Sequence, residues 1–423
     1  MAIINVLIFP AGEINSIELH DALSTCVNVK VFGASSIERH GGFVFENYIS
    51  GLPLISDTGF LNAFNKIICD NHIDVVIPTH DTVAKFLAEN RDNIIAKVLV
   101  ADKRTTAICR DKSLTYELFS NTDFVPMVYA DIPNEFPVFI KPREGQGGMG
   151  ARLIHNLHEL PEDRMSYVIS EYLPGEEYTV DCLTDKEGNL IVVSPRSRKR
   201  LMAGVCVAGS IEPLTDDIKN IAEEINRRLS FLGLWYFQIK KDNLGQWKLL
   251  EISTRCAGSM CLTRARGLNL PLISVYVAMG FDVEAVPNKA KIYMDRTLIA
   301  RYRTDYYYDT VYFDFDDTLV VRGKVNLKAI WFLYQCRNQG KKVVLLTKHE
   351  RVLRESMERY AISPNLFDSV VQIQPEAEKA DFVEPENAIF IDNAYKERES
   401  VRMRLGIPVY DVDGIEVLMD WRI

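Results

Sequence analysis

At 423 residues the chain exceeds one compact domain, and about 150 residues per domain divides it into roughly three. Its 47% hydrophobic and 25% charged content matches an average soluble globular protein and excludes a disordered, collagen-like or coiled-coil chain. With 49 Lys+Arg against 58 Asp+Glu the formal net charge is -9, so no global attraction draws it to nucleic acid or an anionic membrane. No apolar run approaches the ~18 residues needed to cross a bilayer. Leu270 to Phe281, carrying Pro271 and Gly280, reads as a buried helix, and the opening MAIINVLIFPAG as a first strand without the basic region of a signal peptide. Eight scattered cysteines with no CxxC pair read as reduced core residues of a cytoplasmic protein, not a zinc site or disulfide frame.

In chain order, Ile4–Phe9 is a β-forming run that ends at Pro10-Ala11-Gly12. A helix is expected from about Ile17 to Ser24, then strands over Val27–Phe32 and Asp74–Ile77, the last ending in PTHD (residues 78–81). Short apolar strands alternating with helices predict a parallel sheet covered on both faces. The middle third differs. PVFIK (137–141) runs into glycines, while YVISE (167–171) and EYTVDCL (177–183) are strands joined at Leu173-Pro174-Gly175. DKEGN (185–189) is a hairpin turn, Asp216–Leu232 a helix, and Trp235–Lys240 pairs with Trp247–Ile252 across DNLG (242–245). That predicts an antiparallel sheet with helices. After a polar boundary at RYRTDYYYD (301–309), strands at Val311–Phe315, Lys342–Leu346, Ala388–Ile391 and Pro408–Tyr410 predict a small doubly wound domain. Tyr306, Tyr307 and Tyr308 read as an interdomain packing strip.

Two segments carry chemistry. In FIKPREGQGGMG (139–150), Gly145, Gly147, Gly148 and Gly150 let backbone N–H groups approach an anion, and Lys141 just before them can meet a phosphate. The spacing is neither GxxxxGK[ST] nor GxGxxG after a first strand. Taken alone, the run is equally a flexible turn. Downstream, Glu251 and Ser253 lie two apart on one strand face, with Gln238 on the strand before and Arg255 beyond. Oxygen donors on adjacent strands suit Mg²⁺; a solvated sheet face is the alternative.

These motifs, in order, resemble those of ATP-grasp enzymes, of the kind seen in carbamoyl-phosphate synthase large-subunit domains and carboxylate–amine ligases. The resemblance spans residues 1 to about 300. It implies a Rossmann-like pre-ATP-grasp domain at 1–105 and an ATP-grasp domain at 106–302 with a lid at about 115–185. It further implies that Lys112, Lys141, Gly145, Gly147 and Gly148 hold nucleotide phosphates. Glu171 and Leu173 in SEYLPG would hold adenine, and Glu177 the ribose. Gln238, Glu251 and Ser253 would hold Mg²⁺, with Mn²⁺ able to substitute; the family usually has Asn where Ser253 stands. RGLNLP (266–271) resembles the segment that follows. Arg255 would stabilise the transferred phosphoryl group, and Arg196 and Arg198 would clamp the acceptor carboxylate, a solvated basic loop being the alternative for SPRSRKR (194–200).

In VYFDFDDTL (311–319), Asp314 and Asp316 follow a strand, and two such charges about 4 Å apart cost on the order of 4 kcal/mol at an effective dielectric of 20, so a cation or shared proton is needed. An acidic helix start is the alternative. The segment resembles the DxDxT signature of haloacid dehalogenase (HAD) phosphatases, and the resemblance extends over 308–423. It implies Asp314 as nucleophile, Asp316 as acid and base, Thr347 on phosphate, Lys379 balancing charge, and Asp314, Asp316 and Asp392 around Mg²⁺, with Asn393 where a second acid is common. Only 33 positions separate Asp314 from Thr347 and 32 separate Thr347 from Lys379, which leaves no room for a large cap. His349 reads as a helix-start residue, with substrate contact as the alternative.

The expected fold is thus α/β and α+β multidomain, and the expected function bifunctional. An ATP-dependent ligase would join a carboxylate to an amine, and a fused phosphatase would act on a phosphoester. The partners are these small molecules, with no nucleic acid or membrane and with a homodimer left open. The alternatives are phosphorylation of bicarbonate or carbamate, and an ATP-binding sensor in which only the phosphatase works.

Overall fold

The computed structural model describes residues 2–422 apart from 131, 146 and 203. The chain divides into two compact units, Met1–Leu298 and Ile299–Arg422. No helix among the described residues is long and apolar enough to cross a membrane. All eight cysteines are free thiols.

The first unit begins with β1 (Ile4–Phe9), α1 (Ile14–Leu23), β2 (Val29–Ala34), β3 (Asn47–Ile49), α2 (Phe60–Asp70), β4 (Val75–Pro78), α3 (Asp81–Glu89) and β5 (Lys97–Val98). The strands form one parallel sheet in the order β3-β2-β1-β4-β5. β4, and β1 beyond Asn5, are continuous apolar runs because both faces are covered, and every residue of β4 is buried.

Next come α4 (Lys103–Arg110), α5 (Lys112–Leu118), β6 (Val138–Pro142), β7 (Arg152–Ile154), β8 (Tyr167–Glu171), β9 (Glu177–Thr184), β10 (Leu190–Ser197), β11 (Arg200–Met202), β12 (Val205–Ser210) and α6 (Asp216–Arg228). The unit closes with β13 (Gly233–Lys241), β14 (Trp247–Ser253), α7 (Cys261–Ala265), α8 (Leu270–Ala278) and β15 (Tyr293–Asp295). A small antiparallel sheet, β7-β6-β8, stands apart from the larger antiparallel sheet β10-β9-β13-β14. The expected lid at 115–185 therefore reaches too far: β9 is an inner strand of the larger sheet, hydrogen-bonded on both edges. One apolar cluster runs from β1 through Leu183 and Leu234 to Val277, so the parallel sheet shares its core with the larger antiparallel sheet. α8 is apolar all round because it is packed in that cluster.

The second unit holds β16 (Thr310–Phe313), β17 (Val320–Val321), β18 (Lys324–Val325), α9 (Leu327–Asn338), β19 (Lys342–Thr347), α10 (Leu353–Arg359), β20 (Ser369–Gln372), β21 (Ala388–Ile391), α11 (Tyr395–Leu405) and β22 (Val409–Tyr410). Its parallel sheet has the order β20-β19-β16-β21-β22, with β16 at the centre. Strand order reverses at β16, so its C-terminal end lies at a crevice between crossovers. Of the three tyrosines, Tyr308 is buried in this unit's own core beneath Lys341, whereas Tyr307 is 73% exposed.

Candidate functional site

In the first unit the glycine segment, the small sheet and the inner face of the larger sheet surround a cavity of about 800 Å³. Lys112, Lys141, Gly145, Gly147, Gly148, Glu171, Leu173, Glu177, Gln238, Glu251, Arg196, Arg198 and Arg255 all line it. Gln238 and Glu251 face one another because β13 and β14 pair in that register, and Lys141 reaches the same wall across 109 positions through the Leu250 carbonyl. The glycine segment is tied down at its root. Arg143 grips Asp111 through Nε (3.1 Å) and Nη2 (2.6 Å), while Arg110 Nη1 (3.1 Å) and Lys112 Nζ (3.2 Å) donate to the Gly145 carbonyl. Gly204 has φ +78°, and a Cβ there would lie 2.0 Å from the Gly147 carbonyl oxygen, so only glycine permits this approach. Gln146 and Ala203 lie outside the described residues.

Lys141 is buried on β6 and donates to the Leu250 carbonyl (3.0 Å) and to the Tyr116 hydroxyl. Burial, then the neighbouring Lys112 charge, lowers its pKa to about 7. Glu251 stands 3.7 Å from Lys112 Nζ, and its charge opposes the lowering at Lys141 without overcoming it. Glu177 pairs with Arg198 at 2.7 Å and lies 3.6 Å from Lys240. The Glu171 carboxylate accepts from the Met127 backbone N–H (2.8 Å), which leaves its backbone and neighbouring Leu173 along the cavity wall.

Three expected roles change. Arg196 is no open clamp: it is fully buried, with Nε (2.8 Å) and Nη2 (3.0 Å) on Asp181 and Nη1 on Ser259. A fork already filled by one carboxylate cannot hold another bidentately. Ser253 is no free metal ligand either, because its buried hydroxyl donates to Asp81 Oδ1 at 2.7 Å. Arg255 Nη2 meets Asp81 Oδ2 at 2.8 Å and Nη1 the Cys256 carbonyl at 3.0 Å, so Arg255 is held rather than free. Burial would raise the Asp81 carboxyl, but Arg255 and Ser253 outweigh it and hold it low. Sequence reasoning missed Asp81, Asp181 and Tyr116. The only signal for Asp81 was its place at the strand end PTHD.

In the second unit Asp314 follows β16 and Asp392 follows the adjacent β21. Lys379 Nζ sits between them at 2.6 Å from each carboxylate. Burial raises the Asp314 carboxyl, Lys379 pulls it back, and Asp392 pushes it up again. Thr347, the last residue of β19, has a buried hydroxyl with no hydrogen-bond partner among the described residues. Asn393 donates its backbone N–H to Thr318 Oγ1 (3.1 Å). Asp316 departs from expectation, since its carboxylate is engaged by His349 Nδ1 (2.8 and 3.0 Å) and is not gathered with Asp314 and Asp392. His349 does not start a helix; it bridges Asp316 to Ser356 Oγ (2.7 Å) from the loop ahead of α10. Among the described residues no group of three or more His, Cys, Asp or Glu is assembled to hold a metal.

Residues 163–298 match a family model described as ATP-grasp in the biosynthetic pathway with Ter operon. Over 192 residues, 45% of this chain, the sequence is 27% identical to 3-methyl-D-ornithine–L-lysine ligase of Methanosarcina mazei. That match covers 50% of the ligase, so the chain spans about half the length of this relative. The fold is similar to the biotin carboxylase–β-γ-ATP complex from Campylobacter jejuni (TM-score 0.55, 16% identity, 66% of this chain and 72% of that one). It is likewise similar to L-amino acid ligase from Bacillus licheniformis (TM-score 0.54, 16% identity, 68% and 78%). The chain is therefore an α/β multidomain protein with ATP-grasp fold neighbours.

Proposed function

We propose that the first unit is an ATP-dependent carboxylate–amine ligase. The observation that carries this is the convergence of Lys112, Lys141, Glu251 and the glycine segment on one cavity. A substrate carboxylate oxygen attacks the γ-phosphorus and ADP leaves. The amine then attacks the acyl carbon, phosphate leaves, and an amide forms. Negative charge accumulates on the transferred group, and Lys112 and Lys141 are placed to receive it. Glu171 and Leu173 border adenine and Glu177 the ribose. Arg198 is the remaining candidate for the acceptor carboxylate, while Arg196 and Arg255 position their neighbours. Mg²⁺ neutralises phosphate charge when bound; Gln238 and Glu251 would hold it, an oxygen pair that fits a cation also bound by phosphates, and Mn²⁺ is expected to substitute. The glycine segment excludes water from the acyl phosphate. Incubation with ATP and mixed carboxylates and amines should release ADP, and Lys141→Ala should abolish that release. ADP binding without turnover on any acceptor pair would favour instead the sensor reading, for which Ser253 held by Asp81 is the supporting observation.

The second unit is read as a HAD-type phosphomonoesterase. The support is Asp314 and Asp392 on adjacent strand ends around Lys379, with the buried Thr347 hydroxyl, unpartnered among the described residues, at the end of β19, which pairs with β16. Asp314 attacks phosphorus and the alcohol leaves; Asp316 would give that alcohol its proton and then take one from the water that frees phosphate, which requires its carboxylate to turn from His349 toward Asp314. Asp314 and Asp392 would hold Mg²⁺. Asp314→Asn should abolish hydrolysis of p-nitrophenyl phosphate and leave ADP release intact. Loss of both activities in either variant would refute independent sites.

A further inference from the structure

A second cavity, of about 730 Å³, lies in the first unit and shares no lining residue with the first. It opens between Ile191–Val193 of β10, the segment Ser210–Leu214 and the stretch 285–293. Its size is that of a small-molecule pocket. Lys199, Arg266, Lys289 and Lys291 line it against one carboxylate, Glu212. Glu212 itself accepts from the Ser210 hydroxyl at 2.6 Å. None of the four cations is ion-paired among the described residues. Among the described residues Arg266 Nε is buried with no hydrogen-bond partner, and the Lys199 ammonium lies 5.6 Å from the Tyr293 ring. Four cations against one carboxylate, in a chain of net charge -9, form a local exception that favours an anion.

The same cavity connects inward. Arg266 Nη1 donates to Ser194 Oγ at 3.3 Å. Thr263 Oγ1 lies 3.2 Å from Ser194 Oγ and 2.6 Å from Asp181 Oδ2. Asp181 holds Arg196, which lines the first cavity with Ser259. Ser194, Thr263, Asp181 and Arg196 are all fully buried, so the chain of hydrogen bonds runs unscreened by water.

We propose that the second cavity binds a small oxyanion carrying two or more phosphate or carboxylate groups, and that its occupancy is felt in the first cavity through Arg266, Ser194, Thr263, Asp181 and Arg196. The binding half stands alone; the coupling half rests on the nucleotide reading of the first cavity. The test titrates the full chain by calorimetry with pyrophosphate and, separately, citrate, which distinguish the two chemistries. The Lys141→Ala background removes a cation of the first cavity. One probe should bind at a single site and weaken about tenfold or more in Lys289→Gln/Lys291→Gln, whose exposed positions leave folding undisturbed, and again in Arg266→Gln. Absence of binding by both probes, or binding indifferent to these substitutions, overturns the site. In the otherwise unaltered chain, saturating anion should shift the MgADP affinity about threefold or more, and Thr263→Val should erase that shift without weakening the anion itself. A shift that survives Thr263→Val overturns the relay. An anion isotherm with no MgADP binding at all overturns the coupling and the nucleotide reading together, and leaves the second site intact.

Discussion

Lys141 offers the sharpest handle on the proposed nucleotide site. Its pKa is lowered to about 7 from an ordinary 10.5, first by burial and next by Lys112. A bound nucleotide phosphate favours the charged ammonium, so binding must draw a proton onto Lys141 whenever the pH exceeds about 7. The affinity for MgADP should then fall by about tenfold, or about 1.4 kcal/mol, for each pH unit above that point, until the bound-state pKa is reached. Calorimetry in buffers of different ionisation enthalpy counts the proton directly: uptake should approach one per site in the alkaline range and vanish in the acid range. ADP titrates in the same range, so Lys141→Met, which cannot take up a proton, is the reference. Parallel affinity–pH profiles for the two proteins would refute the reasoning, because Lys141 would then either keep its charge in the empty cavity or stand away from the phosphates.

The same lowered pKa carries a stability consequence. The cost of burying the Lys141 charge is fully present below about pH 7 and is relieved as pH rises toward the unfolded value, so Lys141→Met should stabilise the empty protein near neutrality by roughly 2–4 kcal/mol in urea unfolding. Asp81→Asn leaves the Arg255 cation buried without its counter-charge and should cost about 3–5 kcal/mol by the same measurement. Because Asp81 is held low, its contribution to the wild-type protein should be present at neutral pH and lost as pH falls through the depressed pKa. Phosphoester hydrolysis should need an ionised Asp314, so the acid limb of kcat/KM should lie above the ordinary carboxylate range. Thr347→Val removes a hydroxyl that has no partner among the described residues, so it should raise KM for phosphoesters while leaving thermal unfolding within about 1 kcal/mol of wild type.

Local pattern carried much of the architecture. YVISE and the Ala388–Ile391 run are strands with the expected bounds, and the DKEGN turn joins two paired strands, because each signal is complete within a few residues. Lys141, Gln238 and Glu251 stood out by residue type and strand position, whereas Lys112, at the start of α5, entered only through the family resemblance; all four line the one cavity.

What the order of residues could not decide was which polar groups are spent on one another. Ser253 and Arg255 meet Asp81 across 172 and 174 positions, Arg196 is filled by Asp181 on the neighbouring strand, and Asp316 turns to His349. Each is a contest between a ligand and an internal partner for the same lone pairs and protons. Its outcome depends on distances that exist only once sheets have paired and helices have packed. Sequence alone determined the principal strands and helices and the motifs that line the cavity, but not short strands such as β7, β11, β12 and β15; tertiary structure decided which charges are spent on one another, because a buried charge is neutralised by whatever group folding brings within reach.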